Sequence, residues 1–496
     1  MTRPDPALVR LATRVLWPGF AGTTAPDWLR RAIDDDLPGA VYFAGNIDPG
    51  DPDGVRRLSE TLSGGRASLL LGIDEEGGDI TRLEAGTGST LPGAAQLGLR
   101  DDPDVTRAVG AEIARRVRRA GATIVLGPVA DVNTDPRNPI IGVRSFGSDP
   151  ALVSRHVAAS VRGLADGGVL SCAKHFPGHG DTRLDSHTGL PVVTRAVAEI
   201  EAAHLPPFRA AVEAGVDAVM TSHIVFSHYG ERPATVNPRI LALVRRFGFE
   251  GLIVSDALDM AAISATMGMG RGAVAALAAG ADLLCLGNPP TGGGLHDDEG
   301  RFAIVRAAVV AALADGSLPL ERVEQAARRV ETALATVAAR AVDAAAPRPA
   351  VTRAHLEAVV VDALRITGPL PARLGRVLVI DARRRATGAV GRRAEPFAPA
   401  LGARRVSVGC DEGAATIAAQ AVRMAGADSV IVLVDALTHD DGQRAVIDAV
   451  RAGDAAAIVV DVGVPGIVAP PAIHTGGANR LTAETVARLL ARDGRR

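Results

Sequence analysis

The sequence predicts an α/β protein: a TIM-type (β/α)8 barrel followed by a smaller open α/β sandwich domain. Three observations carry this expectation. Short apolar, β-branched runs alternate with alanine-rich helical stretches through the first 290 residues or so, the pattern of βα units whose parallel strands are buried on both faces. Polar and charged residues collect just after these runs, at the strand ends where such a barrel carries its chemistry. A proline-broken stretch, AVDAAAPRPAVTRA at 341–354, then separates a second and shorter series of runs.

Seven strand candidates precede residue 290: Gly39–Phe43, Leu69–Ile73, Thr123–Leu126, Val169–Cys172, Ala218–Met220, Leu252–Val254 and Asp282–Leu286. The eighth strand of the barrel has no clear run of its own. The expected division is a catalytic barrel over 1–340, a linker over 341–355 and a C-terminal α/β domain over 356–496. In the last of these, a helix over His355–Leu364 leads to strand candidates Arg376–Ile380, Ser429–Val434 and Ala457–Val462, with a helix over Gly413–Ala425 between them.

Composition narrows the function. Hydrophobic residues make up 47% of the 496 and charged residues 22%, enough apolar mass for large cores. A net charge of −2 gives no electrostatic footprint for nucleic acid or an anionic membrane. The run Arg115-Arg116-Val117-Arg118-Arg119 reads as a solvated helix face. No apolar window is long enough for a transmembrane helix, and Met1–Phe20 lacks the apolar core of a secretory leader. Three scattered cysteines, Cys172, Cys285 and Cys410, suggest neither disulfides nor a CxxC site. A cytoplasmic protein is expected, with no nucleic-acid or membrane partner.

The polar residues at the strand ends are Asp74 after Ile73, Asp131 soon after Leu126, Lys174 and His175 after Cys172, Thr221-Ser222-His223 after Met220, and Ser255-Asp256 after Val254. The segment Lys174–Pro191, KHFPGHGDTRLDSHTGLP, reads as a long polar loop with three histidines and two aspartates, the kind of segment that carries chemistry on a rigid scaffold. Asp185 and His187 are two apart, so in extended chain they point the same way. The carboxylate then fixes the imidazole tautomer and raises the basicity of its other nitrogen. A loop-stabilising hydrogen bond would use the same pair. His175, His179 and His187 lack the HExxH spacing of a zinc site, and Lys174 places a positive charge beside them, so no metal is expected. Asp256 is placed either to attack a substrate carbon or to cap the next helix.

Taken together, GAVYFAGNI (39–47), IDEEGGDITRL (73–83), GPVADVN (127–133), RSFG (144–147), the KHFPGHGDTRLDSH loop (174–187), MTSHIVF (220–226), PATVNPRI (233–240), GFEGLIVSDALDM (248–260) and ALAAGADLLCLG (276–287) resemble glycoside hydrolase family 3, β-N-acetylglucosaminidase branch, in a two-domain form. The resemblance covers roughly residues 10–290. It implies Asp256 as catalytic nucleophile and His187 as general acid/base, with Asp185 as its partner. It further implies sugar binding by Asp74, Arg82, Arg144, Lys174 and His175, and a supporting part for His223. The implied reaction is a retaining double displacement through a covalent glycosyl-Asp intermediate, releasing terminal β-linked N-acetylglucosamine from short glycans such as muropeptide or chitooligosaccharide fragments, without a cofactor. Most glycosidases use two carboxylates. A neutral imidazole in place of the second would not repel an anionic acceptor, so phosphorolysis with inorganic phosphate stays open beside hydrolysis. A β-glucosidase specificity and a non-catalytic sugar-binding protein are the remaining alternatives. Aromatic residues are only 3% of the chain, which argues for a short substrate over a long stacked polysaccharide.

Overall fold

The computed structural model describes residues 5–66, 68–184, 189–288, 297–343, 351–371, 373–384 and 394–491. The chain forms two compact units. The first comprises Met1–Glu76, Pro103–Thr134 and Ser148–Ala350; the second comprises Gly77–Asp102, Asp135–Gly147 and Val351–Arg496.

The first unit is a curled, all-parallel β/α sheet. Its strands are β1 (Leu16–Trp17), β2 (Gly39–Tyr42), β3 (Leu70–Ile73), β4 (Ile124–Val125), β5 (Leu170–Phe176), β6 (Ala218–Thr221), β7 (Leu252–Val254) and β8 (Leu284–Cys285). Strands β2 to β7 pair in sequence order, and β1 pairs with β8. Parallel bridges Gly19↔Val41 and Val254↔Leu283 join the two sets, so eight strands close on themselves. All seven strand candidates are strands. The eighth is β1, only two residues long, held by the Leu284 amide on the Val15 carbonyl (2.9 Å) and the Leu286 amide on the Trp17 carbonyl (3.0 Å).

Alternate residues of these strands fill one continuous core, with Leu70, Ile124, Leu170, Cys172, Met220, Leu252 and Val254 all buried. Trp17 joins them, its indole N–H donating to the Leu70 carbonyl at 2.7 Å. Gly72 lies under its ring; a Cβ there would sit 2.4 Å from the Trp17 six-membered ring. Val330, Ala333 and Val337 of the helix Leu320–Asp343 complete the cluster.

Acidic groups just before two strands are tied into ion pairs. Asp217, ahead of β6, binds Arg340 at 2.8 Å; the fully buried Asp282, ahead of β8, binds Arg245, Arg322 and Arg329. These pairs sit at the amino-terminal ends of the strands, the face of a β/α barrel concerned with stability.

The second unit is an open sheet of six strands: β9 (Arg365–Thr367), β10 (Val377–Asp381), β11 (Arg404–Ser407), β12 (Ser429–Val434), β13 (Ile458–Asp461) and β14 (Ala472–His474). Their spatial order is β9-β14-β13-β12-β10-β11. Only β9 is antiparallel. The five parallel strands therefore run 2-1-3-4-5, and the chain steps first to one side of β10 and then to the other. The expected strands correspond to β10, β12 and β13. Helices Arg353–Ala363 and Ala414–Ala425 lie where the sequence places them. Segments 77–102 and 135–147 are knitted into this unit. Gln96 donates to the Thr475 carbonyl (3.0 Å) and to the Thr482 hydroxyl (2.7 Å), and the Ala478 amide donates to Asp79 (2.7 Å).

Candidate functional site

The carboxyl ends of β3 to β7 bring together five groups that the sequence marked. Asp74 follows β3 directly. Lys174 and His175 were expected to open a loop after Cys172, but they lie within β5, which runs on to Phe176 with all seven of its residues buried. Their burial is possible because each has a charged or polar partner. The Lys174 ammonium, only 3% exposed, lies 2.8 Å from an Asp74 oxygen and 2.7 Å from a Glu76 oxygen. His175 Nδ1 lies 2.8 Å from Asp131 Oδ2. The Lys174–His175 and Phe176–Pro177 peptide bonds are cis.

Asp131 was noted in the sequence as a strand-end residue and given no role. It is fully buried and organises the start of the long loop. One oxygen accepts the backbone amides of His175 (3.2 Å) and His179 (2.7 Å), and the other faces the His175 ring. Burial opposes its ionisation. The charge and hydrogen bonds of His175 and the proximity of His179 outweigh it and hold the carboxyl below the usual range. His179 packs edge-on against His175, with ring centroids 5.6 Å apart, and meets the Thr182 hydroxyl at 2.9 Å. Burial, aided by the neighbouring His175, pushes His179 down to about 4, so at neutral pH it is an uncharged polar strut.

Asp256 lies two residues past β7. It does not cap a helix: the next one, Ala261–Ser264, begins after Met260, and Asp256 Oδ1 accepts the adjacent Ala257 amide (2.8 Å). A relay of hydroxyls holds its backbone from behind. The Asp256 amide donates to Thr221 Oγ1 (3.2 Å), Thr221 and Thr235 share a hydrogen bond (2.7 Å), and Thr235 meets His223 Nδ1 (2.8 Å). His223 Nε2 lies 2.9 Å from the Ala257 carbonyl, which can only accept. Nε2 therefore carries a proton. Thr235 Oγ1 also donates to the Ser222 carbonyl (3.0 Å), so this one hydroxyl ties together Thr221, Ser222 and the His223 ring. Thr221, Thr235 and His223 are all fully buried. His223 thus acts on the Asp256–Ala257 backbone. Thr235 was not singled out in the sequence; its place in the PATVNPRI segment was the available signal.

Arg82 and Arg144 belong to the second unit, and both are buried, at 3% and 9% exposure. Arg144 donates to the Ile140 carbonyl (3.2 Å) and, with Asn138, Arg384, Asp435 and His439, lines a cavity of about 150 Å³ in that unit. Asp185 and His187 lie outside the described residues. Among the described residues, no three His, Cys, Asp or Glu side chains converge as metal ligands, and no helix is long and apolar enough to cross a membrane. Burial pushes the Cys172 thiol up to about 12, so it serves as core packing beside Lys174.

Residues 52–333 match the family model described as the glycosyl hydrolase family 3 N-terminal domain. The chain belongs to glycosyl hydrolase family 3. Within the family it falls in the beta-hexosaminidase branch. Beta-hexosaminidase A of Pseudoalteromonas piscicida is 35% identical over 270 residues, which span 49% of this chain and 45% of that protein, less than half its length. The beta-hexosaminidase of Thiobacillus denitrificans is also 35% identical, over 54% of this chain and 77% of its own. The structure of a family 3 β-N-acetylglucosaminidase from Paenibacillus sp. str. FPU-7 superposes with a TM-score of 0.83 at 29% identity, covering 98% of this chain and 96% of that one. The second α/β unit is therefore part of a two-domain arrangement already seen in the family. The chain is accordingly a glycoside hydrolase.

Proposed function

We propose that this family 3 enzyme is a retaining exo-β-N-acetylglucosaminidase that removes terminal β-linked N-acetylglucosamine from short glycans, muropeptide or chitooligosaccharide fragments among them. Asp256 attacks the anomeric carbon and His187 protonates the leaving oxygen. The glycosyl-Asp ester is then released as His187, now a base and oriented by Asp185, takes a proton from the incoming water. Asp74, Lys174 and His175 hold the sugar hydroxyls in the first unit; Arg82 and Arg144 have the same task.

The observation that carries this reading is the fixing of Asp256. Its carboxylate lies two residues past a barrel strand, with its own amide and the next carbonyl held by the Thr221, Thr235 and His223 side chains. A nucleophile so placed loses little freedom on reaching the attacking geometry. The Lys174 ammonium beside Asp74 and Glu76 supports it further. The ion pairs fix the Lys174 ammonium at the strand ends, where it offers a charged donor to sugar hydroxyls.

The test is release of nitrophenol from 4-nitrophenyl β-N-acetylglucosaminide, with and without millimolar phosphate, followed by identification of the sugar product. Free N-acetylglucosamine in both buffers, with release abolished in Asp256→Ala, supports the hydrolase. Sugar 1-phosphate in the phosphate buffer would instead assign a phosphorylase. No release from folded protein in either buffer would sink the proposal.

A further inference from the structure

The second unit has a cleft of its own, at the carboxyl ends of β10 and β11. In an open parallel sheet of this order, the crevice where the chain departs to both sides of one strand is where ligands bind. Here that strand is β10, and a cavity of about 380 Å³ opens beside its last residue, Asp381. Three guanidinium groups, Arg383, Arg384 and Arg405, line it together with three carboxylates, Asp381, Glu395 and Asp411.

Inside this cleft, one ion-pair network is left incomplete at a specific place. Asp381 accepts Arg383 through Nε and Nη2 (2.9 Å each) and Arg405 through Nε (3.1 Å) and Nη2 (2.7 Å). That geometry uses the Nε–Nη2 edge of Arg383. Glu395 is left to reach the same Nη2 with one oxygen, Oε2. The second arm of what would be a bidentate fork is open on both sides: Arg383 Nη1 and Glu395 Oε1 are buried and have no hydrogen-bond partner. The Arg383 side chain is 2% exposed. A buried donor and a buried acceptor left unpaired on two ion-paired side chains are costly, and they define what would satisfy them: a group that accepts from Nη1 and donates to Oε1. A hydroxyl does both.

We propose that this cleft is a second, non-catalytic binding site for a neutral hydroxylated ligand, a mono- or disaccharide, gripped through Arg383 Nη1 and Glu395 Oε1. Among the described residues of the lining, three cations are balanced by three anions, and a phosphate or carboxylate ligand would meet Glu395 and Asp411. Among the described residues the lining contains no aromatic ring, so the sugar gains hydrogen bonds without stacking from them, and a millimolar affinity is expected. The site depends only on residues of the second unit and not on the assignment of the barrel's chemistry.

Hydrogen–deuterium exchange of the full-length protein, read by mass spectrometry at rising N-acetylglucosamine and, separately, glucose or sodium phosphate, tests this. Saturable protection by the sugars of peptides covering 377–384 and 404–413, with a millimolar midpoint and no effect of phosphate, is expected. Glu395→Gln keeps the side chain's shape and turns the acceptor arm into a donor; it should raise that midpoint at least fivefold while nitrophenyl glycoside turnover is unchanged. Arg383→Lys gives a second variant, expected to do the same if it folds. No protection of these peptides at saturating sugar, equal protection by phosphate, or a midpoint unmoved in Glu395→Gln would overturn the proposal.

Discussion

Replacing Thr235 with valine removes one hydroxyl from the wall behind Asp256 and keeps the shape of the side chain. That hydroxyl touches Thr221 Oγ1 at 2.7 Å, His223 Nδ1 at 2.8 Å and the Ser222 carbonyl at 3.0 Å, all of them buried. Without it, Thr221 Oγ1 and His223 Nδ1 each lose a buried partner. One such buried group costs about 1–3 kcal/mol, so the two together cost about 2–6 kcal/mol of stability, measurable in urea. The kinetic effect follows from the relay. Thr221 holds the Asp256 amide and His223 holds the Ala257 carbonyl beside the Met260 amide, and a nucleophile displaced by even an ångström loses on the order of 100-fold in rate. Thr235→Val should therefore lower kcat by about 10- to 100-fold with KM within about threefold of wild type, because no sugar contact is removed. Thr235→Ser restores the hydroxyl and should recover most of both losses. A Thr235→Val enzyme with wild-type kcat would refute the reasoning, as would a serine variant that fails to rescue.

The depressed His179 makes stability depend on pH. Its folded value near 4 lies below the unfolded value near 6.5, so the unfolded chain binds the extra proton between them. Its contribution is intact above about 6.5 and is lost as the pH falls towards 4, by about 3 kcal/mol for a gap of about 2.5 units. Urea midpoints should fall over that range, and His179→Gln should flatten the slope. Asp131→Asn keeps the shape but removes the buried charge that faces His175 and accepts two backbone amides, and it should cost about 3–5 kcal/mol in chemical denaturation. Gly72→Ala puts a methyl into the Trp17 ring and should lower stability by about 1–3 kcal/mol, seen as a drop in the thermal midpoint.

The strands that the sequence revealed are those whose own residues make a buried run long enough to read. Leu252–Val254 is one; its apolar triplet is followed at once by Ser255 and Asp256. Strand β1 is the contrary case. Leu16 and Trp17 are strand only because Val15, Trp17 and Pro18 accept amides from β8 and β2, partners more than 20 and 260 residues away that leave no local signature. In the second unit, β11 reads Arg-Arg-Val-Ser and is mostly exposed at the sheet edge, so it lacks the apolar run by which its neighbour β10 was recognised. The site shows the same division. Asp74, Lys174, His175 and Asp256 stood out because charge directly after, or within, a buried run is unusual. Lys174 and His175 looked like loop residues because their compensating partners, Glu76 and Asp131, are distant in sequence. Thr221 was visible only as one of three polar residues after a strand and Thr235 only as part of the PATVNPRI segment, since a buried hydroxyl reveals its part only through the groups it joins.

Asp256 is the residue proposed to form the covalent bond to the sugar. In His187→Ala the second step lacks its base, so a donor with a good leaving group, such as 4-nitrophenyl β-N-acetylglucosaminide, should accumulate the glycosyl-enzyme. Acid quenching followed by peptide mapping would locate it. One N-acetylhexosaminyl adduct is expected on the carboxylate of Asp256, absent from Asp256→Asn. An adduct on any other residue, or turnover by a folded His187→Ala enzyme with no adduct at all, would contradict it.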